Sequence, residues 1–140
     1  MESFCFLDTN FLVRYLAGDH EQHTPIATRL IESIEAGRLT VDTADTVIFE
    51  TIFTMTSWYK AERADLADSL GILLSLDGVR LPTKRQVLDA LDLWVRFKRL
   101  SYADAYHLVL TSSTNHRRIA SFDQGLDRCL PGISRIEQLP

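Results

Sequence analysis

The transition from an apolar run to a carboxylate at residues 4–8 constrains this chain most. Residues 4–7 are apolar without a break, Asp8 ends the run, and a segment with helical periodicity follows at once. A run that is polar on neither face is typical of a strand buried on both sides, as in parallel sheets. Because open α/β sheets bind ligands at the carboxyl ends of their strands, we expect Asp8 at a metal or phosphate site. The alternative is that Asp8 only caps the next helix.

Short apolar runs alternate with helical patterns along the rest of the chain. Further strands are predicted at residues 39–41, 79–81 and 119–122, with an edge strand within 133–139. This order predicts an α/β fold, a three-layer α/β/α sandwich with a central parallel sheet. The 140 residues suit one domain, 1–140, and no linker or internal repeat divides them.

Helix starts are predicted from capping signals. Thr24-Pro25 is expected to provide a cap followed by proline in the first turn, and Ser101 with Asp104 forms a capping box. A further helix is expected from near Thr43 to Tyr59, and a short one at Gln124–Leu130.

Composition restricts the class of protein. The formal net charge of −4 argues against a broadly basic nucleic-acid-binding surface, but acids gathered at one metal site would account for such a deficit. Cys5 and Cys129 form neither a disulfide framework nor a zinc ligand set, and they suit a reducing compartment. Without a secretory signal or an apolar stretch of membrane-spanning length, we expect a cytoplasmic protein with no membrane partner.

Asp8 and Asp123 end apolar strands in the same manner. If those strands are neighbours in a parallel sheet, both carboxylates meet at one edge of it. Asp123 has an alternative role as the cap of the helix predicted at Gln124–Leu130. Asp104 is equally well explained as the third residue of its capping box, at the positive end of a helix dipole.

Glu50 lies in the apolar run 47–53, with no Lys or Arg within one helical turn. An isolated buried carboxylate costs several kcal/mol, so we expect Glu50 to be paired, protonated or bound to a metal. The alternative is that Glu50 faces solvent beside Thr46, Thr54 and Ser57. The four acids Asp8, Glu50, Asp104 and Asp123 form an all-oxygen set, which suits Mg²⁺ or Mn²⁺ and suits zinc poorly.

These motifs resemble those of the PIN-domain nucleases. The resemblance rests on Leu7-Asp8-Thr9-Asn10, Glu50 after an apolar run, Ser101-Tyr102-Ala103-Asp104-Ala105 and Ser121-Phe122-Asp123. It implies a PIN-like fold and a metal site formed by Asp8, Glu50, Asp104 and Asp123. It also implies a supporting role for Asn10 beside the first acid, and it matches Ser121 to the small hydroxyl residue that often precedes the last acid.

The length and the single-domain layout are most similar to the VapC-type toxins of toxin–antitoxin pairs. The resemblance therefore implies an endoribonuclease that depends on Mg²⁺ or Mn²⁺ and acts on RNA. It also implies a homodimer and a small antitoxin protein as partner.

The main functional hypothesis is a ribonuclease in which metal-activated water attacks an RNA phosphodiester. Asp8, Asp104 and Asp123 are expected to bind metal directly, and Glu50 to bind through water or orient the attacking water. One alternative is an aspartyl-nucleophile phosphatase, but such enzymes usually have a second Asp two residues on, where this chain has Asn10. The other is a PIN-fold RNA-binding module without cleavage, which a missing acid would have favoured.

Overall fold

The computed structural model describes residues 2–140, which divide into two compact units, the first ending at Lys84 and the second comprising Arg85–Pro140. The first unit contains β1 (Cys5–Phe6), α1 (Thr9–Ala17), α2 (His23–Glu35), β2 (Val41–Asp42), α3 (Asp45–Ser57), α4 (Arg63–Leu74) and β3 (Val79–Arg80). The second contains α5 (Lys84–Arg96, which starts at the boundary), α6 (Tyr102–Ser112), β4 (Arg118–Ala120), a 3₁₀ turn (Gln124–Leu126) and β5 (Ser134–Ile136). None of the helices within residues 2–140 has the length and apolar character that a membrane-spanning segment needs.

The first unit is built on a parallel sheet with the strand order β1-β2-β3. Cys5 is opposite Val41, which is opposite Val79. The pairing extends beyond β1, because the Phe4 N–H donates to the Thr40 carbonyl and the Leu7 N–H to the Asp42 carbonyl, both at 2.7 Å. The predicted parallel pairing is therefore present.

The expectation that the first strand is buried on both faces is wrong. Phe4 is 66% exposed and Phe6 is 56% exposed, whereas Leu7 is only 2% exposed. β1 is an edge strand of its sheet, and successive side chains of a strand point to opposite faces. An all-apolar run therefore covers the core with one set of alternate residues and leaves the other set in solvent.

The start of the second helix also differs from the prediction. α2 begins at His23, and Thr24 does not cap it. Instead, the Thr24 hydroxyl donates to the Arg14 carbonyl at 2.9 Å and accepts from the His20 N–H at 3.1 Å. Gly18, with a φ of 65°, ends α1 in the left-handed conformation that glycine tolerates best. Thr24 thus fastens the last turn of α1 to the start of α2.

In the second unit β4 and β5 pair in parallel, with Ile119 opposite Arg135. The helix predicted at Gln124–Leu130 is wrong, since only a 3₁₀ turn forms there. The Arg99 guanidinium donates to the Gly125 carbonyl at 2.7 Å and to the Asp127 carbonyl at 2.9 Å. Arg99 thus binds two carbonyl groups of the segment that follows Asp123.

A second arginine holds the end of this turn. Arg135, whose side chain is 13% exposed, donates to both carboxylate oxygens of Asp127, at 2.7 and 3.2 Å. It also donates to the Ser121 carbonyl at 2.9 Å and to the Glu137 carboxylate. A two-pronged contact of this kind fixes geometry better than a single surface ion pair does.

Replacing Asp127 by Asn tests this contact. Arg135 lowers the pKa of Asp127 below its ordinary value of 3.8, chiefly by hydrogen bonding to the carboxylate. A carboxyl group whose pKa falls on folding stabilises the folded state above its unfolded value and loses that effect as the pH drops. We expect Asp127→Asn to lower the melting temperature at neutral pH, and the difference to shrink as the pH falls below 3.8.

The matched control is Asp68→Asn, since Asp68 is exposed on α4. It should leave the melting temperature unchanged throughout the same pH series. A difference between Asp127→Asn and the wild type that is absent, or constant with pH, would contradict the assigned role of Arg135.

Candidate active site

Asp8 stands where the first strand passes into α1. The Leu7 N–H is bonded in the sheet, and the Leu7 carbonyl accepts from the Thr43 hydroxyl at 3.0 Å. Asp8 is exposed and occupies the N-cap position with extended backbone angles, but its carboxylate makes no capping hydrogen bond. The alternative that Asp8 serves only as a cap is therefore not supported, and both of its carboxylate oxygens remain available for a ligand.

The expected burial of Glu50 is wrong. Glu50 is exposed on α3, because the core-facing side of this helix is formed by Val47, Ile48, Thr51, Ile52 and Met55. Its exposure therefore agrees with the alternative interpretation of a solvent-facing residue. It is nevertheless held in place, since the buried Thr9 hydroxyl donates to Glu50 Oε2 at 2.9 Å.

Sequence reasoning missed the role of Thr9. It follows Asp8 directly, so one dipeptide carries a candidate ligand and a donor that orients a second one. A small hydroxyl residue between the acid and Asn10 was the available signal. Asn10 itself is exposed on the first turn of α1.

Asp104 confirms the predicted capping box at the start of α6. The Asp104 N–H donates to the Ser101 hydroxyl at 3.1 Å, and the Ser101 N–H donates to Asp104 Oδ2 at 3.3 Å. The box fixes the carboxylate at the helix N-terminus through Oδ2 alone. Capping and ligand binding are therefore compatible, because Oδ1 is not used by the cap.

Asp123 caps the 3₁₀ turn. Its Oδ1 accepts from the Gly125 N–H at 2.8 Å, and its own N–H donates to the Ser121 hydroxyl at 3.0 Å. A Cβ at Gly125 would lie 2.9 Å from Asp123 Oδ1, so a larger residue at position 125 would require this carboxylate to shift. The alternative that Asp123 is a cap is therefore confirmed, although it caps a 3₁₀ turn that is shorter than the predicted helix. Asp123 Oδ2 takes no part in the cap.

Asp8, Asn10 and Glu50 belong to the first unit, and Asp104, Ser121 and Asp123 to the second. Asp8 follows a strand of the three-stranded sheet, and Asp123 follows the strand β4 of the two-stranded one.

Within residues 2–140, no group of three or more His, Cys, Asp or Glu side chains lies ready to hold a metal ion. The donor chemistry does fit Mg²⁺ or Mn²⁺, because each acid keeps a carboxylate oxygen outside the capping and Thr9 bonds. The four-acid ligand set stays a prediction.

Comparison with known proteins decides the family. The family model for the PIN domain matches residues 5–129. The chain belongs to the PIN-domain family. This membership confirms the predicted resemblance and the three-layer α/β/α fold class, while the prediction of a single domain over 1–140 stays a prediction.

Two relatives are similar over almost their whole length. VapC ribonuclease Mb1869c of Mycobacterium bovis and Ribonuclease VapC13 of Mycobacterium tuberculosis are each 32% identical to this chain over 131 residues. The aligned part covers 93% of this chain and 97% of each relative. No solved structure matches the chain. The likeness therefore extends beyond a shared motif to the whole VapC-type chain.

A double-mutant cycle tests the link between Thr9 and Glu50. Thr9→Val keeps the side-chain shape and removes the donor, and Glu50→Ala removes the acceptor. Because a net intramolecular hydrogen bond stabilises by about 1 kcal/mol, we expect a coupling free energy of that size in urea unfolding. The same cycle between Thr46 and Glu50, neighbours on one face of α3, is the control and should show no coupling. Coupling of equal size in both cycles would show that the Thr9 hydroxyl does not hold Glu50.

Proposed function

We propose that this PIN-domain protein is a VapC-type endoribonuclease that hydrolyses RNA phosphodiesters with the help of Mg²⁺ or Mn²⁺. The observation that carries the proposal is the 32% identity to two proteins named as VapC ribonucleases, over 93% of the chain. All four acids of the nuclease pattern are present, and none of them is paired with Lys or Arg among residues 2–140.

The proposed chemistry assigns each acid a role. A divalent cation bound by these carboxylates would activate water for in-line attack and neutralise the leaving oxygen. Asp8 has two carboxylate oxygens that take no part in a cap. Asp104 and Asp123 each have one carboxylate oxygen that the cap does not use. Glu50, oriented by the Thr9 hydroxyl, is suited to accept a proton from the attacking water or to bind through water.

The partners proposed for the chain follow from the same likeness. We propose RNA as the substrate, a small antitoxin protein as the inhibitor and a homodimer as the oligomeric state. We propose the cytoplasm as the compartment, because both cysteines, Cys5 and Cys129, are free thiols.

The roles of Asp8 and Asp123 can be tested by removing charge without changing volume. Asp8→Asn and Asp123→Asn should each lower the rate of Mn²⁺-dependent cleavage of RNA by more than about 100-fold, since loss of a group that only orients a metal ligand already costs about 10- to 100-fold. Asp68→Asn, exposed on α4, is the control and should cleave like the wild type. Wild-type rates in both site variants would contradict the assignment of these ligands.

The same proteins report metal binding without any assay of activity. A cation that binds only the folded state stabilises it by about 2.7 kcal/mol when its free concentration is a hundredfold above its Kd. We expect Mn²⁺ to raise the melting temperature of the wild type and of Asp68→Asn, and to raise that of the site variants less. Hydrolysis of p-nitrophenyl phosphate with no cleavage of RNA would favour the phosphatase alternative instead. RNA binding without either reaction would favour the binding module.

The toxin assignment is tested in living cells. Induction of the wild-type chain in a bacterial host should slow growth, because free ribonuclease removes cellular RNA, and Asp8→Asn should grow normally at equal expression. If a small protein is encoded beside this gene, its co-expression should restore growth of the wild-type strain. Normal growth during verified expression of active wild-type enzyme would argue for a nuclease that is not a toxin.

A further inference from the structure

The side chain of Arg99 joins the two segments of the second unit that carry candidate metal ligands. Arg99 lies two residues before Ser101, where the capping box of Asp104 begins. Its guanidinium binds the segment that follows Asp123, at Gly125, which is 26 residues away in the sequence. Both ends of this contact belong to the second unit. Arg99 therefore bridges the chain segments of two candidate ligands.

The guanidinium of Arg99 binds three acceptors at once. Nε donates to the Gly125 carbonyl at 2.7 Å, and Nη2 donates to the Asp127 carbonyl at 2.9 Å and to Cys129 Sγ at 3.3 Å. The Phe97 ring lies beside the same group, with its centroid 5.0 Å from Arg99 Cζ. The rigid, planar guanidinium suits such a multiple contact, whereas the ammonium of lysine is a single point charge.

The segment that Arg99 binds contains a residue in an unfavourable conformation. Arg128 has a φ of 62°, in the left-handed region that side chains rarely adopt. A conformation of this kind persists only where the surrounding contacts enforce it. The bonds from Arg99 to Asp127 and Cys129 hold the residues on both sides of Arg128, and Cys129 is only 3% exposed. Arg99 therefore fixes the course of the chain after the last candidate ligand.

Arg99 acts on the Asp123 carboxylate through Gly125. The Gly125 N–H donates to Asp123 Oδ1 at 2.8 Å, and Arg99 holds the carbonyl of the same residue. Within residues 2–140, Arg99 and Asp123 form no ion pair with each other. A displacement of Gly125 would therefore break the bond to Arg99 and also move the donor that orients Asp123.

The backbone of Arg99 is fixed on its other side by the start of α6. Leu100 is 1% exposed, and its N–H donates to the backbone carbonyl three residues earlier at 3.0 Å. The next residue, Ser101, begins the capping box that holds Asp104 Oδ2. Because Arg99 directly precedes this anchored stretch, its guanidinium fixes the segment after Asp123 relative to the N-terminus of α6.

Arg135 provides a second anchor for the same segment. It donates to the Ser121 carbonyl at 2.9 Å and to both carboxylate oxygens of Asp127. These bonds fasten the segment to β5, whereas those of Arg99 fasten it to the start of α6. Arg99 is exposed, and exposed polar contacts contribute little to stability. Loss of Arg99 should therefore change the geometry of the segment more than the stability of the fold.

We infer that Arg99 is a positioning residue of the ribonuclease, which sets the place of the Asp123 carboxylate relative to Asp104. The inference rests on the proposed function, since it takes both acids as ligands of one metal centre. Arg99 itself touches neither the metal nor the RNA. The alternative is an arginine that binds an RNA phosphate, but Nε and Nη2 of Arg99 are already bonded to carbonyl groups of the protein.

The first test measures metal binding in the absence of RNA. Mn²⁺ is titrated into the wild type and the variants, and free Mn²⁺ is measured by electron paramagnetic resonance. Loss of a group that orients a metal ligand costs about 10- to 100-fold in metal affinity, and Arg99 acts through one further residue. We therefore expect Arg99→Met to raise the Kd for Mn²⁺ by about 10-fold, the lower end of that range.

Arg96→Met is the matched control. Arg96 lies beside the same Phe97 ring, with its Cζ 5.7 Å from the centroid. Among residues 2–140, no hydrogen bond or ion pair joins Arg96 to the segment after Asp123. Arg96→Met removes the same charge from a neighbouring turn, and it should bind Mn²⁺ like the wild type.

Amide hydrogen exchange in EDTA separates positioning from general stabilisation. The Gly125 amide should exchange faster in Arg99→Met than in the wild type, because its bond to Asp123 opens more often. The Ser121 and Ser134 amides, which are bonded between the chain segments of β4 and β5, should exchange at unchanged rates. Faster exchange at all three amides would show that Arg99 only stabilises the unit, and it would overturn the inference.

Cleavage kinetics identify an arginine that contacts the substrate instead. With a fluorescein-labelled RNA that the wild type cleaves, Arg99→Met should lower kcat by about 10-fold in saturating Mn²⁺ and leave KM unchanged. Arg99→Lys keeps the charge but not the planar group, so it should behave like Arg99→Met. A raised KM with wild-type Mn²⁺ affinity, restored by Arg99→Lys, would show that Arg99 binds phosphate and that the inference is wrong.

Failure of the inference and failure of the proposed function give different results. If the wild type binds Mn²⁺ and cleaves RNA, and Arg99→Met matches it in Mn²⁺ affinity and in Gly125 exchange, the positioning role is wrong and the ribonuclease assignment stands. If the wild type neither binds Mn²⁺ nor cleaves RNA, both proposals fail. Should Arg99→Met not fold, Arg99→Lys provides the same comparison with the same outcomes.

Discussion

Pairing of the first strand with β2 is the constraint on which the candidate site depends. The backbone N–H of Leu7 is bonded to Asp42, its carbonyl is bonded to the Thr43 hydroxyl, and its side chain is 2% exposed. A shift of Leu7 would therefore break one of these hydrogen bonds or leave a cavity in the core. Asp8 is the first residue beyond this anchor, and α1 begins directly after it. The carboxylate is thus positioned by its neighbours, which explains why it needs no contact of its own.

The candidate ligands differ from the structural acids in what holds them. Glu50 is bonded by a hydroxyl group, and Asp104 and Asp123 by backbone N–H groups. These neutral donors fix geometry but leave the negative charge uncompensated, which favours a cation. Asp127 lies only four residues beyond Asp123, yet the Arg135 guanidinium already neutralises it. Closeness in sequence to a candidate ligand therefore does not identify a further ligand. The charge of the hydrogen-bond donor distinguishes the two kinds of acid, since the candidate ligands have neutral donors and Asp127 has a cationic one.

Local patterns predicted the features that local physics decides. The Ser101–Asp104 capping box involves residues three apart, and its reciprocal bonds are those that the sequence indicates. The order of helices and parallel strands likewise follows from hydrophobic periodicity. The exposure of Phe4 and Phe6 could not be predicted, because an apolar run does not tell which face of its strand is covered.

Contacts between distant residues decided the rest. Both sides of α3 near Glu50 contain apolar residues, so the helix could be rotated with little change in pattern, and packing chose the side that leaves Glu50 exposed. The turn after Asp123 is bound by the Arg99 guanidinium, which lies 26 residues away in the sequence. No periodicity within the turn encodes that contact. Sequence reasoning therefore found the acids more readily than the donors that orient them.

The helix that begins directly after Asp8 is in turn bonded to the next helix. Gly18 ends this helix, and the Thr24 hydroxyl bonds its last turn to the start of α2, so α1 is tied down at its far end as well as at the sheet. A site on regular, packed elements holds its geometry better than a site on loops. Asp8 is therefore held by regular structure on both sides, because it lies between the paired first strand and α1.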